Sequence, residues 1–397
     1  MAKTARRSRQ LMAVAGAAAV LLAACSSSSK SSSSAAGSSA AAGGSSGNCS
    51  ATIGFFGALT GDNAALGINE QDGIKLAIDQ FQKANAACKV SLTPYDSAGD
   101  PAQAPALAQK AATDKSVIAI IGPAFSGESK VADPIFESAT LPNVTVSATN
   151  PSLGKNGWKY WHRAVGTDNS QGPAAAQYIE TFAKKAAVLD DGSEYGKGIA
   201  DIVRSTFKTD AKVTVTDSES VDPKATDFSS TVNNIKANAP DAVFFGGYYQ
   251  AGGILAKQLA DAGIKATFVG PDGVEDPGFI KAAGAAAEGA ILLAPGTPAD
   301  KIPADFATAY KTLNGQDPGL YSVEAYDAAN AVLSGIKAGN VTRDAMETFL
   351  GTVDYKGLSV EVKFVSGTNE LAGAVTIWAS TVTGGKIVSK QPLTITG

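Results

Sequence analysis

The sequence predicts an α/β protein built as two doubly wound parallel-sheet lobes. Three observations lead there. Short apolar runs alternate with segments whose apolar residues recur at helical spacing, the signature of βαβ units with helices on both sheet faces. That rhythm runs through the chain twice. The length of 397 residues suits two lobes of ordinary size, and 44% hydrophobic against 18% charged residues supplies a core for each.

The elements follow in order. Residues 52–56, containing Ile53-Gly54-Phe55-Phe56, read as a first strand. Ile74, Ala77, Ile78 and Phe81 then mark a helix by their i, i+3, i+4, i+7 spacing. Residues 90–94 read as a second strand. Residues 116–121 form a continuous apolar run ending in Gly122-Pro123, as a strand buried on both faces requires. Val131, Ile135 and Phe136 mark the next helix, and 143–147 the next strand. Residues 158–163, Trp158-Lys159-Tyr160-Trp161-His162-Arg163, also read as a strand. The second half repeats the pattern, with strands at 186–189, 212–216, 241–245, 267–269 and 290–293. Between them Ile199, Ile202 and Val203, then Val232 and Ile235, mark helices, and 251–263 and 279–287 read as two more.

The last third changes character. Residues 303–313 and 322–338 read as helices. The second carries a polar stripe of Asp327, Asn330, Ser334 and Lys337 opposite Tyr326, Ala329 and Leu333. Strands at 360–365, 374–379 and 386–396 then form a tail that returns to both lobes.

Composition excludes several functions. A net charge of −4 argues against nucleic-acid binding, which normally shows a basic face. A single histidine, His162, rules out a His-rich metal site, and three cysteines cannot build a zinc finger. No cofactor is expected.

Residues 1–24 read as a signal peptide. Lys3, Arg6, Arg7 and Arg9 form a basic head, and the apolar run from 11 to 24 is too short for a convincing membrane span. It closes as Leu22-Ala23-Ala24-Cys25, which resembles a bacterial lipobox whose cysteine is acylated. A plain secretory signal and a retained helical anchor are the alternatives. Removing residues 1–24 takes away four positive charges and no negative ones, moving the net charge from −4 to −8. Residues 25–48 are Ser, Ala and Gly with few exceptions and read as a lipidated flexible linker. The body is thereby held at the outer face of a bacterial cell membrane.

Cys49 and Cys88 remain. Each stands just before a candidate strand, and an exported protein with two spare cysteines is expected to pair them. Two buried free thiols are the alternative.

In open α/β sheets ligands bind beyond the carboxyl ends of the strands. The first half offers Gly57-Ala58-Leu59-Thr60-Gly61, then Gly122 to Gly127 with Ser126 at a helix start, then Ser147-Ala148-Thr149-Asn150. Small hydroxyls and a helix N-terminus suit a carboxylate. The second half offers Asp190 to Gly196 with Tyr195, then Gly246-Gly247-Tyr248-Tyr249, then Gly270-Pro271-Asp272-Gly273. Tyrosines and carboxylates suit an ammonium group. A free α-amino acid carries both charges and would bridge the two sets. Each element has a plainer reading: Ser126 as a helix cap, Tyr248 as a packing residue, Asp272 as a turn former.

These loops bring a resemblance into view. Segments 53–61, 95–101, 121–126, 148–153 and 168–179, with Gly246-Gly247-Tyr248 and 270–274, resemble the substrate-binding lipoproteins of branched-chain amino acid ABC transporters. The most telling are Asp168-Asn169-Ser170-Gln171-Gly172-Pro173, Tyr195-Gly196 and Gly270-Pro271-Asp272-Gly273-Val274. The likeness covers roughly residues 52–381. It implies a type I periplasmic binding protein whose lobes, 49–165 plus 296–366 and 166–295 plus 367–397, are joined by three crossing strands. It implies that Ser126, Ala148 and Thr149 hold the ligand carboxylate with Ser147 beside them, and that Tyr195 and Tyr248 line the second lobe. Asp272 stands where the family usually has Glu, and Leu66 where it often places an aromatic ring over the ligand side chain. The implied partners are a small-molecule amino acid and the permease subunits of an ABC importer with their ATPases. The protein is expected to be a monomer.

Three other readings compete. A hydrolase finds no G-x-S-x-G around Ser126, and His162 reads as a packed strand residue. A P-loop fails on spacing at Gly192 to Gly198. A sensory receptor, or a receptor for an amide or an aromatic acid, shares every feature above.

Overall fold

The structure is a computed structural model and describes residues 49–393. The signal peptide, Cys25 and the linker therefore lie outside the described residues, as do the last residues of the expected final strand.

The first sheet is assembled from β1 (Ala51–Gly57), β2 (Val90–Asp96), β3 (Val117–Ile121), β4 (Asn143–Thr145) and β5 (Trp161–Arg163). Its order is β2-β1-β3-β4-β5, and every pairing is parallel. Between these strands run α1 (Ala64–Ala84), α2 (Ala104–Thr113) and α3 (Ser126–Ser138). All five residues of β3 are buried, because helices cover both faces. On one face Ile74, Ile78 and Phe81 of α1 pack against Ile53 and Phe55 of β1. On the other, Ala104, Ala108 and Ala111 of α2 and Phe136 of α3 pack against Phe56 and Ile120. The sequence carries no strong signal for α2, since its buried stripe, Ala104, Ala108, Ala111 and Ala112, holds no large apolar residue.

The chain then passes to α4 (Asp168–Glu180), β6 (Lys185–Asp190), α5 (Glu194–Asp210), β7 (Thr214–Ser220), α6 (Ser229–Asn238), β8 (Ala242–Gly246), α7 (Tyr249–Asp261), β9 (Thr267–Pro271), α8 (Pro277–Ala283) and β10 (Ile291–Ala294). It returns to the first sheet through α9 (Ala304–Asn314), α10 (Ser322–Lys337) and α11 (Arg343–Leu350), with a small antiparallel ribbon of β11 (Asp354–Lys356) and β12 (Glu361–Lys363). It goes back to the second sheet as β13 (Ile377–Thr383) and β14 (Lys386–Leu393). That sheet runs β14-β13-β10-β9-β8-β6-β7. Its strands β6 to β10 pair in parallel. The two tail strands are antiparallel, because Gly384 and Gly385, at φ 58° and 71°, turn the chain in a tight hairpin. β7 runs on to Ser220, four residues past the expected end. Its continuation, Asp217-Ser218-Glu219-Ser220, is polar and lies at the sheet edge, so apolar runs could not reveal it.

α10 crosses α1 so closely that a Cβ on Gly73 would lie 2.1 Å from the Ser322 carbonyl oxygen. Asp327, on the polar stripe of the helix, is fully buried. Its carboxylate accepts the backbone N–H groups of Leu358, Ser359 and Val360 at 2.8, 2.7 and 3.2 Å, and so ties the approach to β12 onto α10.

Cys49 and Cys88 are disulfide-bonded, with Cα atoms 4.8 Å apart. The bond joins the chain just before β1 to the chain just before β2, which are paired neighbours. Among the described residues no helix is long and apolar enough to cross a membrane, and no group of three or more His, Cys, Asp or Glu could hold a metal ion.

Candidate functional site

The carboxyl ends of the two sheets face one cleft. Leu66 and Glu70 enter it from α1, four residues apart and so on one helix face. Ala124, Phe125 and Ser126 enter at the start of α3, and Ser147 from the turn after β4. Opposite them stand Tyr195 at the start of α5, Tyr248 before α7, and Asp272 and Gly273 after β9. Tyr321, just before α10, closes the side. Among the described residues no lysine, arginine or histidine lines this cleft.

Asp272 is buried and central. Its carboxylate accepts hydrogen bonds from the Tyr195 hydroxyl and, at 2.7 Å, from the Tyr321 hydroxyl. The Tyr195 oxygen in turn accepts the Gly273 N–H at 3.1 Å. Burial raises the Asp272 pKa, and the two tyrosine hydroxyls oppose that rise. Gly273 permits the close approach: a Cβ there would meet the Gly247 carbonyl oxygen at 2.6 Å and the Tyr195 ring at 2.8 Å. Tyr321 sits at φ 67°, in the left-handed region that costs a non-glycine residue about 1–3 kcal/mol. Its ring packs among Val165, Ala294 and Leu320, where the chain crosses between the sheets, so strain and hydrogen bond meet at one point.

On the other wall, Ser126 is the first helical residue of α3, and Phe125 occupies the cap position. Glu128, not Ser126, closes that helix start: it accepts the Phe125 N–H at 3.3 Å and the Ser97 hydroxyl. Ser126 Oγ instead accepts the Asn150 N–H at 3.2 Å. The Ser147 hydroxyl lies 2.7 Å from Glu70 Oε1 and 2.6 Å from the Ala124 carbonyl oxygen.

Of the residues singled out in the sequence, Leu66, Ser126, Ser147, Tyr195, Tyr248 and Asp272 meet in this cleft. Ala148 and Thr149 are buried but are not among its lining residues. The Ala148 N–H donates to Thr145 Oγ1 at 3.1 Å, and its carbonyl accepts from Arg163 at 2.9 Å. The Thr149 carbonyl accepts the Asp168 N–H at 3.0 Å. Glu70 and Tyr321 were missed. Glu70 did leave a trace, as an acidic residue one helical turn from Leu66 on a face that continues into Ile74. Nothing local marks Tyr321. His162 is fully buried on β5 with its ring 4.7 Å from that of Phe364, and burial pushes it down to about 4.

The two walls touch. Lys130 Nζ of α3 lies 2.7 Å from Glu194 of α5, Asn150 Nδ2 donates to the Glu194 carbonyl at 2.6 Å, and the Phe125 and Tyr248 rings meet edge-on at 5.1 Å. The cavity enclosed is about 10 Å³, roughly enough for one water. An amino acid thus enters only when the walls part. A groove of about 1050 Å³ leads outward past Lys130 and Glu194 and shares Tyr248 with the cavity.

Buried acids dominate the electrostatics. Burial pushes Glu70 and Glu275 up to about 8 and Glu128 up to about 7. A carboxyl whose folded pKa lies above its unfolded value stabilises the fold fully below the unfolded pKa and loses that stabilisation as pH rises through the folded pKa. The melting temperature is therefore expected to fall between pH 5 and pH 8.5. His162 acts in the opposite sense, its contribution being lost as pH falls from 6.5 towards 4. Glu275, held by Ser380 at 3.3 Å, is the cleanest probe, because it does not line the cleft. Glu275→Gln should make the decline shallower. A melting temperature that rises over this range, or an unchanged slope in the variant, would contradict the assignment.

Residues 50–386 match the family described as Periplasmic binding protein. The chain is 35% identical over 296 residues to the leucine-, isoleucine-, valine-, threonine- and alanine-binding protein of Pseudomonas aeruginosa, a match covering 72% of this chain and 78% of that one. It is 31% identical over 322 residues to the Leu/Ile/Val-binding protein of Escherichia coli K12, covering 77% and 87%. Among solved structures, the branched-chain amino acid transporter substrate binding protein of Streptococcus pneumoniae, in complex with isoleucine, superposes with a TM-score of 0.77 at 26% identity, covering 87% and 99%.

Proposed function

The chain belongs to the periplasmic binding protein family, and from that premise we propose that it captures an amino acid, branched-chain or aliphatic, between two lobes and delivers it to an ABC importer. One observation carries the reading: a single cleft sets Ser126 and the N-terminal end of α3 against Asp272 with its tyrosines. A helix N-terminus favours a carboxylate and a buried carboxylate favours an ammonium, so the two walls match the two ends of a zwitterion. We place the lobes at 49–165 plus 296–366 and at 166–295 plus 367–397. Membership of a binding family assigns no catalysis.

A thermal-shift screen of the protein against leucine, isoleucine, valine, threonine, alanine, benzoate and an aliphatic amide tests this. An amino acid at 100 times its dissociation constant should add about 2.7 kcal/mol. A shift with benzoate or the amide, and with no amino acid, would replace the amino-acid reading by that of another small-solute receptor.

The finer assignment is a protein acylated at Cys25, acting as a monomer at the outer face of the bacterial cell membrane beside its permease subunits. It rests on the Leu22-Ala23-Ala24-Cys25 sequence and the Ser/Ala/Gly linker. Cys25→Ala is expected to move the protein from the membrane to the soluble exported fraction. A variant still membrane-bound after a salt wash would overturn the anchor.

A further inference from the structure

Resting on the reading above, we propose that Asn150 couples capture of the ligand to closure of the two walls, so that it sets how long an amino acid stays rather than which one binds. Four hydrogen bonds converge on it. Its backbone N–H donates to Ser126 Oγ at 3.2 Å, and its carbonyl accepts from Arg163 at 2.8 Å. Its side-chain Oδ1 accepts the Ser152 N–H at 2.8 Å, and Nδ2 donates to the Glu194 carbonyl at 2.6 Å. The first three bonds tie Asn150 to the wall that carries Ser126 and Ser147. The fourth crosses to the opposite wall, at the first residue of α5.

Donor and acceptor chemistry fixes both ends. The Ser152 N–H can only donate, so Oδ1 faces it and the amide turns its Nδ2 protons to Glu194. Ser126 Oγ accepts the Asn150 N–H, which leaves the Ser126 hydroxyl proton to donate to a ligand carboxylate. Glu194 is the chain neighbour of Tyr195, whose hydroxyl holds Asp272. A single path thus runs from Ser126 through Asn150, Glu194 and Tyr195 to Asp272, from the carboxylate end of the cleft to the ammonium end. The Asn150–Glu194 bond forms only when the walls meet. Other polar bridges hold less firmly. Lys130 and Glu194 pair at 2.7 Å, but the Lys130 side chain is 59% exposed and water competes for it. The Ala65 N–H reaches the Tyr249 hydroxyl at 3.3 Å. Asn150, by contrast, is 6% exposed. Helix α5 is also shaped for the contact, since a Cβ on Gly198 would lie 2.6 Å from Asn150 Nδ2.

Asn150→Asp keeps the oxygen that accepts from Ser152 and puts an oxygen in place of the donor to Glu194. Calorimetry and stopped-flow kinetics with leucine and valine are expected to show both bound roughly 10- to 100-fold more weakly than by the parent protein. The loss should lie in faster dissociation, with the leucine-to-valine ratio held within about twofold. Gly198→Ala reaches the same bond from the other wall without touching the ligand. Alanine suits a helix better than glycine, so the ligand-free melting temperature should hold while binding of both amino acids weakens. Because the two changes break one bond, the double variant should bind within about twofold of Asn150→Asp alone. Parent-like affinity in a folded Asn150→Asp would overturn the inference and leave the amino-acid reading standing. So would a changed leucine-to-valine ratio, a Gly198→Ala variant that binds like the parent, or losses that simply add in the double variant. If Asn150→Asp does not fold, Gly198→Ala decides alone. Binding of neither amino acid by the parent protein would overturn the branched-chain reading on which the inference rests, and the inference with it.

Discussion

Asp272→Ala is expected to weaken binding of the best amino acid by roughly 30- to 5,000-fold. Truncating one member of a buried charge pair typically costs about 2–5 kcal/mol, because the other charge stays desolvated. Asp272 is the carboxylate on its wall of the cleft, and two tyrosine hydroxyls fix its orientation. Alanine also removes the acceptor of both hydroxyls, so its effect mixes charge with geometry. Asp272→Asn separates them. It keeps size and one acceptor oxygen, and it preserves the short turn of residues 272–274. It should still lose most of the affinity if the charge meets an ammonium. Near-parental affinity in a folded Asp272→Asn would mean that the ligand places no ammonium there.

The second large effect lies behind the site. Arg163 on β5 is fully buried. Its guanidinium donates to both Glu370 oxygens, at 2.8 and 2.6 Å, and to the carbonyls of Ala148 and Asn150, at 2.9 and 2.8 Å. One side chain thus fastens the tail segment between β12 and β13 to the loop that carries Ser147. Removing one partner of a buried ion pair costs about 3–5 kcal/mol, and because Glu370 is a quarter exposed the lower end applies. Arg163→Ala should therefore lower the melting temperature by about 6–12 °C. Arg163→Lys keeps the charge but not the fork that engages two carboxylate oxygens and two carbonyls, and should recover only part of the loss. A melting temperature within about 2 °C of the parent for Arg163→Ala would show that the loop and tail hold without it.

Arg163 also shows what the sequence could reveal. The run 158–163 reads as a strand and β5 occupies only its second half, Trp161–Arg163, while the partner Glu370 lies 207 positions away and no local pattern links the two. The alternating framework was legible, because buried parallel strands such as Val117–Ile121 are continuous apolar runs and α1 carries Ile74, Ala77, Ile78 and Phe81 at helical spacing. Alanine-lined α2 and α4 offered few large apolar residues to mark a buried face, and the polar edge of β7 offered none. In the cleft, residues at strand ends could be found from the rule that ligands gather there, which yielded Ser126, Tyr248 and Asp272. Tyr321 could not be, since it reaches Asp272 from a turn 49 residues further along the chain. Nor could sequence show that the Ala148 N–H and carbonyl are taken up by Thr145 and Arg163.

The central claim is that an amino acid sits between the two walls with its charges divided between them. A crystal structure of the protein with the amino acid that gives the largest thermal shift tests it most directly. The account predicts electron density for that ligand in the cleft, with its carboxylate at Ser126 and the start of α3 and its ammonium at Asp272. Density for the ligand outside this cleft, or within it with no contact to Asp272, would contradict the account.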